Sequence, residues 1–332
     1  MFQDSRQDFD DYFPFRLIYA FHMPLFIFLS GAVTATKPSA IMSQGLGWRT
    51  RIALTGHAIN HSAIRLLIPF CSWTMIGWYV NYRHTYRWFE WAAIVIKSPD
   101  NSIWFLLLIF QCLFFWYAWN LAMGLVLGYL HTKNTRFLTF CLEQRFVQIA
   151  FFYYIFNKIL FLPEITNSYG IGSVKISLGY FALGMLYYVY ARNYMRGFWR
   201  VAPYVIFIAL VPFWYRTHPG PLSGWMGKFM DPGSADQDFR TLMAICGILI
   251  TLDVVRIIRA AKSTIVDRSL AYCGTASLGI YAMHFYLLGY PPLFILPLAG
   301  SLLAYAILSH IPLLRTVLLG EKHALQPSLD QC

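Results

Sequence analysis

The sequence predicts an all-α, polytopic transmembrane bundle of about nine spans, and three observations predict it. Of the 332 residues, 58% are hydrophobic and only 12% are charged, against about 25% charged in a soluble domain. The apolar residues come in continuous runs close to the roughly 20 residues that a membrane helix needs. Those runs lack the apolar–polar alternation over about ten residues that marks the strands of a membrane barrel.

The spans are expected at 12–35, 62–81, 102–130, 146–163, 174–191, 200–215, 240–258, 269–290 and 293–314. The third is long enough to tilt or to run past the bilayer. No internal repeat, flexible linker or soluble domain interrupts them. The chain therefore reads as one integral-membrane domain, 1–332, closing on a short tail at 316–332.

Charge orients the spans. The segments 36–65, 131–145, 192–200, 256–268 and 315–332 hold sixteen Lys or Arg; the alternating set of loops holds six. Lys and Arg stay on the cytoplasmic side, so the C-terminus is expected inside and the N-terminus outside. The same distribution accounts for the formal charge of +11 without nucleic acid as a partner. Four aspartates and one arginine open the chain, the opposite of a signal peptide's basic start. An outside N-terminus without a signal leads to the expectation that a further helix belongs before it.

The six cysteines have no close pairing and no CxxC spacing, so neither a disulfide framework nor a zinc site is indicated. GxSxG, phosphate-loop, HExxH and GxGxxG motifs are absent. That leaves soluble hydrolase, nucleotide hydrolase and dehydrogenase chemistry without support.

Candidate functional residues are the ionisable groups at membrane depth, which are costly there and face protein, cavity or substrate. His22 lies inside the first apolar run, two residues before Pro24, which removes a backbone donor and is expected to kink the helix. His22 reads either as a packing histidine or as a general base for a hydroxyl acceptor. Arg65 sits at the mouth of the second span with Arg49, Arg51, His57 and His61 upstream. The arginines read as phosphate ligands or as topology-setting charges. Asn101 or Ser102 is expected to cap the third span, and Trp104 to anchor it at the interface. Asp253, inside the seventh span, has Arg256 as its nearest cation in sequence. Tyr281 and His284 are three residues apart and so share a helix face.

Four segments carry a resemblance: Phe21-His22-Met23-Pro24-Leu25-Phe26-Ile27-Phe28-Leu29-Ser30-Gly31, Arg65-Leu66-Leu67-Ile68-Pro69-Phe70, Ser102-Ile103-Trp104-Phe105-Leu106, and Ala276-Ser277-Leu278-Gly279-Ile280-Tyr281-Ala282-Met283-His284. In this order they resemble the membrane acyltransferase 3 family, which includes O-acetylases of surface glycans. The resemblance implies about ten helices and acyl-CoA, acetyl-CoA above all, as a cytosolic co-substrate with no resident cofactor or metal. It implies a glycan or lipid-linked sugar as hydroxyl acceptor, and a bacterial inner-membrane location. It places Arg65 in the active site. Two departures accompany it. The family's first helix, with its histidine, has no counterpart, and Ser62 stands where the family has an arginine three residues before Arg65. Together they imply little activity for the chain by itself. A transporter or flippase using His22, Asp253 and His284 as a proton relay is the alternative class, and a non-catalytic scaffold a third.

Overall fold

The computed structural model describes residues 13–36, 40–42, 46–97, 104–133, 135–159, 171–191, 198–215, 220, 225, 228, 231–261, 263–287 and 295–321. Among these the regular structure is helical throughout, the all-α membrane bundle that the composition requires. Asn101 and Ser102 lie outside the described residues, so their capping role is not seen.

The helices are α1 (Phe13–Tyr19), α2 (His22–Thr36), α3 (Trp48–Gly77), α4 (Trp88–Lys97), α5 (Trp104–Thr132), α6 (Arg136–Glu143), α7 (Arg145–Ile159), α8 (Ile171–Leu186), α9 (Phe198–Leu210), α10 (Pro232–Ala260), α11 (Thr264–Leu287), α12 (Ile295–Ser309) and α13 (Pro312–Leu319). Among the described residues, five stretches are long and apolar enough to cross a membrane: Arg16–Thr36, Trp48–Val80, Trp104–Thr132, Val174–Ala191 and Ala235–Ala260. Arg200–Phe213 and Leu296–Ser309 are shorter apolar helices. The spans expected at 146–163 and 269–290 are present as α7 and α11, which fall outside those seven.

Two expected boundaries move. The second span was placed at 62–81, but α3 starts at Trp48, so most of the supposed loop 36–65 is helix. Its first four turns carry enough polar residues to resemble a loop, yet they contain no proline and only Gly56 to oppose helix, and a helix continues past a bilayer without penalty. The expected tail at 316–332 begins inside α13, a helix packed on α3; residues 322–332 lie outside the described set.

The chain divides into two compact units, residues 1–37 with 180–267, and 38–179 with 268–332. In the first unit, Pro24 decides the local path. It has no N–H for the carbonyl of Ala20, and its ring crowds that carbonyl. The helix therefore breaks at Ala20–Phe21 and restarts at His22, with Leu25 donating to Phe21 at 2.8 Å. The break packs against α9 and α10: Ala20, Phe207, Val211, Trp214, Phe239, Met243 and Cys246 form a buried cluster, with Tyr19 and Phe21 against it. Further along, α2 and α8 touch backbone to backbone. A Cβ at Gly31 would meet the Phe181 carbonyl, and one at Gly184 would meet the Phe28 carbonyl. Small residues permit such close approach between membrane helices.

In the second unit α3 packs along α5 and against α13. Phe105, Leu108, Cys112, Trp116, Met123 and Leu127 of α5 are buried, as are Leu66, Phe70 and Trp73 of α3. The Trp73 indole donates to the Leu318 carbonyl at 2.9 Å, pinning α13 by its last turn.

Candidate functional site

The second unit contains an open cleft of about 540 Å³, lined by His61, Ile64, Arg65, Thr275, Tyr305, Arg315, Gly320 and Glu321. Four elements supply it: α3, α11, α12 and the end of α13. Its geometry starts from one residue. Gly320 ends α13 with φ +66°, a left-handed conformation that costs a side-chain-bearing residue free energy. Its N–H returns to the Thr316 carbonyl at 3.1 Å, and that of Glu321 to Arg315 at 3.3 Å. A Cβ on Gly320 would collide with the Arg65 carbonyl. The glycine thus lets the chain turn tightly against α3 and deliver Glu321 into the cleft.

There Glu321 organises the polar wall. Its carboxylate accepts from Arg315 Nε at 2.9 Å and from the Tyr305 hydroxyl at 2.8 Å. Arg65, one of the residues singled out in the sequence, is exposed in the same cleft. Among the described residues, no hydrogen bond or ion pair engages its guanidinium. Two guanidinium groups and an imidazole therefore share the cleft with one carboxylate, an arrangement suited to an anion with several oxygens. Arg315, Tyr305 and Glu321 were not among the sequence candidates. Their only early signal was a phenol within the last apolar run and a cation and an acid just after it.

The other two arginines lie elsewhere. Arg49 is exposed, its guanidinium 5.3 Å from the ring of Trp48. Arg51, expected as a phosphate ligand, is buried at 4% exposure. It donates to the Ile41 carbonyl and, from Nε, to that of Leu46 at 3.2 Å, and its side chain lies against Gly124. It holds the Ala40–Met42 turn and the start of α3 together and does not line the cleft.

His284 is half-buried on α11. Its Nδ1 lies 2.7 Å from the Tyr281 carbonyl and 3.1 Å from that of Ile280. A carbonyl only accepts, so Nδ1 carries the hydrogen and Nε2 is the basic nitrogen, the form a general base requires. The buried Tyr281 ring lies 5.7 Å from His284 and 5.2 Å from Phe105. Thr275, which lines the cleft, is nine residues before His284 on the same helix, or roughly 13 Å along its axis. Trp104 is buried as well. Among the described residues, its indole N–H has no hydrogen-bond partner, so it is more enclosed than an interfacial anchor.

His22 belongs to the first unit. Its Nδ1 meets the Ile18 carbonyl at 3.1 Å, and its ring sits edge-on to Tyr19 at 4.6 Å. The ring thereby occupies the carbonyl that an unbroken helix would give to the backbone N–H of the same residue. Asp253, also in the first unit, pairs with Arg200 and not with its sequence neighbour Arg256. Arg200 Nε lies 2.8 Å from Asp253 Oδ1, and the Tyr204 hydroxyl donates to Oδ2 at 3.1 Å. The carboxylate is thus held between two α9 side chains one turn apart.

Comparison with protein families matches residues 2–319 to the acyltransferase domain of the acyltransferase 3 family. No curated protein and no solved structure matches the chain.

Proposed function

The chain belongs to the acyltransferase 3 family and is a membrane acyltransferase, and we propose that it moves an acyl group, acetyl above all, from acyl-CoA to a hydroxyl of a cell-surface or lipid-linked glycan. The observation that carries this reading is Arg65: an exposed guanidinium in a cleft that also holds Arg315 and the His61 imidazole. Phosphates are the natural ligand of such a wall, because a guanidinium fork matches their oxygens in pairs. The bias of Lys and Arg along the chain supports a cleft that opens to the cytoplasm, where acyl-CoA is found, in a bacterial inner membrane with the C-terminus inside. Arg49 stands near the start of α3 as a further phosphate contact.

In this reading the donor's phosphates rest at the Arg65 end of the cleft, and its long pantetheine arm runs along α11 toward Tyr281 and His284. His284 Nε2 takes the proton of the acceptor hydroxyl as its oxygen attacks the thioester carbonyl. The C–O bond forms, the C–S bond breaks, and the proton passes to the departing CoA thiolate. His22, with the same tautomer fixed by Ile18, is the second candidate base. The pairing of Asp253 with Arg200 and Tyr204 supports a structural role for that carboxylate over a proton relay.

The test uses membranes carrying the full chain, labelled acetyl-CoA and surface glycan. Arg65→Ala is expected to raise KM for acetyl-CoA by about 10- to 150-fold, the equivalent of roughly 1.5–3 kcal/mol for a charge-assisted contact. Arg65→Lys is expected to be impaired too, since it lacks the planar fork. His284→Gln should lower kcat by about 10²- to 10⁴-fold. Residual transfer that is indifferent to all three changes, or that does not draw on acetyl-CoA, refutes the reading.

A further inference from the structure

We propose that Arg315 is a second phosphate-binding residue of the cleft, presented by Glu321, so that a bound acyl-CoA bridges α3 and α13. This rests on the acyl-CoA reading of the cleft. The sequence places Arg65 and Arg315 250 residues apart, yet both line one cavity. Among the described residues, the side chain of Arg315 is engaged through Nε, which donates to Glu321 Oε2 at 2.9 Å. Arg315 lines the cleft, and among the described residues its terminal Nη groups, which make up a phosphate-matching edge of a guanidinium, take no hydrogen bond.

Glu321 is itself anchored. Tyr305 donates to its other oxygen at 2.8 Å, and the Thr316 hydroxyl donates to its backbone carbonyl at 3.1 Å. The carboxylate is therefore a fixed strut, and Arg315 is held in one orientation before any ligand arrives. Pre-ordering a flexible, charged side chain removes part of the entropy cost of binding. Arg65, by contrast, projects from α3 with no partner among the described residues, and is ordered by the ligand itself. The cleft thus offers one preset guanidinium and one adaptable one, on two different helices.

The experiment compares CoA with pantetheine, which carries the same arm without CoA's phosphates. The purified full-length chain is used, and each probe displaces labelled acetyl-CoA. The readout is the affinity ratio of CoA over pantetheine. Arg315→Ala should lower this ratio about 10- to 150-fold, and Arg315→Lys should restore only part of it. A purely structural role for Arg315 would weaken both probes alike and leave the ratio unchanged, which refutes the proposal. An unchanged ratio in Arg315→Ala beside a reduced one in Arg65→Ala overturns the role of Arg315 and spares the donor reading. Equal affinities for the two probes in the unaltered chain overturn both.

Discussion

Gly320→Ala tests how the cleft is assembled. The substitution adds one methyl group at φ +66°, where a Cβ crowds the chain's own backbone. Holding alanine in this left-handed conformation costs about 1–2 kcal/mol relative to glycine. The same methyl is aimed at the Arg65 carbonyl, with Pro69 Cγ 3.1 Å away. Backbone cannot step aside as a side-chain tip does, so α13 must shift off α3, at an overpacking cost of about 1–3 kcal/mol. The two effects act on one contact, and their sum is about 2–5 kcal/mol. Gly274 is the control: nothing lies within 4 Å of a Cβ there, and alanine in a helix interior gains up to about 1 kcal/mol over glycine. Equilibrium unfolding in mixed micelles, followed by Trp fluorescence, should show Gly320→Ala strongly destabilised and Gly274→Ala neutral or slightly more stable. Loss of CoA affinity should accompany the first and not the second. Gly320→Ala as stable as the unaltered chain would refute the view that this turn seats α13 against α3.

Three further outcomes follow from the same geometry. Arg51→Ala should cost about 2–4 kcal/mol by unfolding, because it strands the Ile41 and Leu46 carbonyls, whereas Arg49→Ala should change stability by under about 0.5 kcal/mol. Arg200→Ala should destabilise more than Asp253→Ala, because the first leaves a buried carboxylate without its cation while the second leaves an arginine that is 46% exposed and able to reach solvent; equal losses would argue against a buried pair. Reporter fusions at Ser328 and Gly220 should report opposite sides of the membrane, and a shared side would overturn the proposed orientation.

Some of this was legible in the sequence because it is local. Pro24 announces the break before His22, since the missing N–H is a property of one residue. Arg65 was singled out by its place at the mouth of an apolar run, and it does line the cleft. What stayed hidden was non-local. Arg315 stands just past the last expected span and Glu321 in the short tail after it, and only the Gly320 turn against α3 brings them to Arg65. Asp253 has Arg256 three residues on, but the α9 helix lies across the carboxylate and Arg200 reaches it first. Arg51 and Arg49 look equivalent in sequence. Their different environments arise because Arg51 faces α5 at a glycine, where there is room for a guanidinium to enter. The start of α3 was missed for a related reason: hydropathy marks where a helix meets lipid, not where its hydrogen bonds begin.

The paired glycines of α2 and α8 carry an evolutionary consequence. Each gives way to a main-chain carbonyl of the facing helix, so the joint depends on two positions and is indifferent to the identity of the phenylalanines that contribute those carbonyls. A methyl at Gly31 or at Gly184 alone must prise the helices apart. Once one has done so, the second finds the space already opened, and its cost falls well below the first. The two sites are therefore coupled with positive epistasis between damaging changes, and drift at one releases the constraint on the other. Descendants of this chain should keep both glycines or lose both, and mixed pairs should be the rare class.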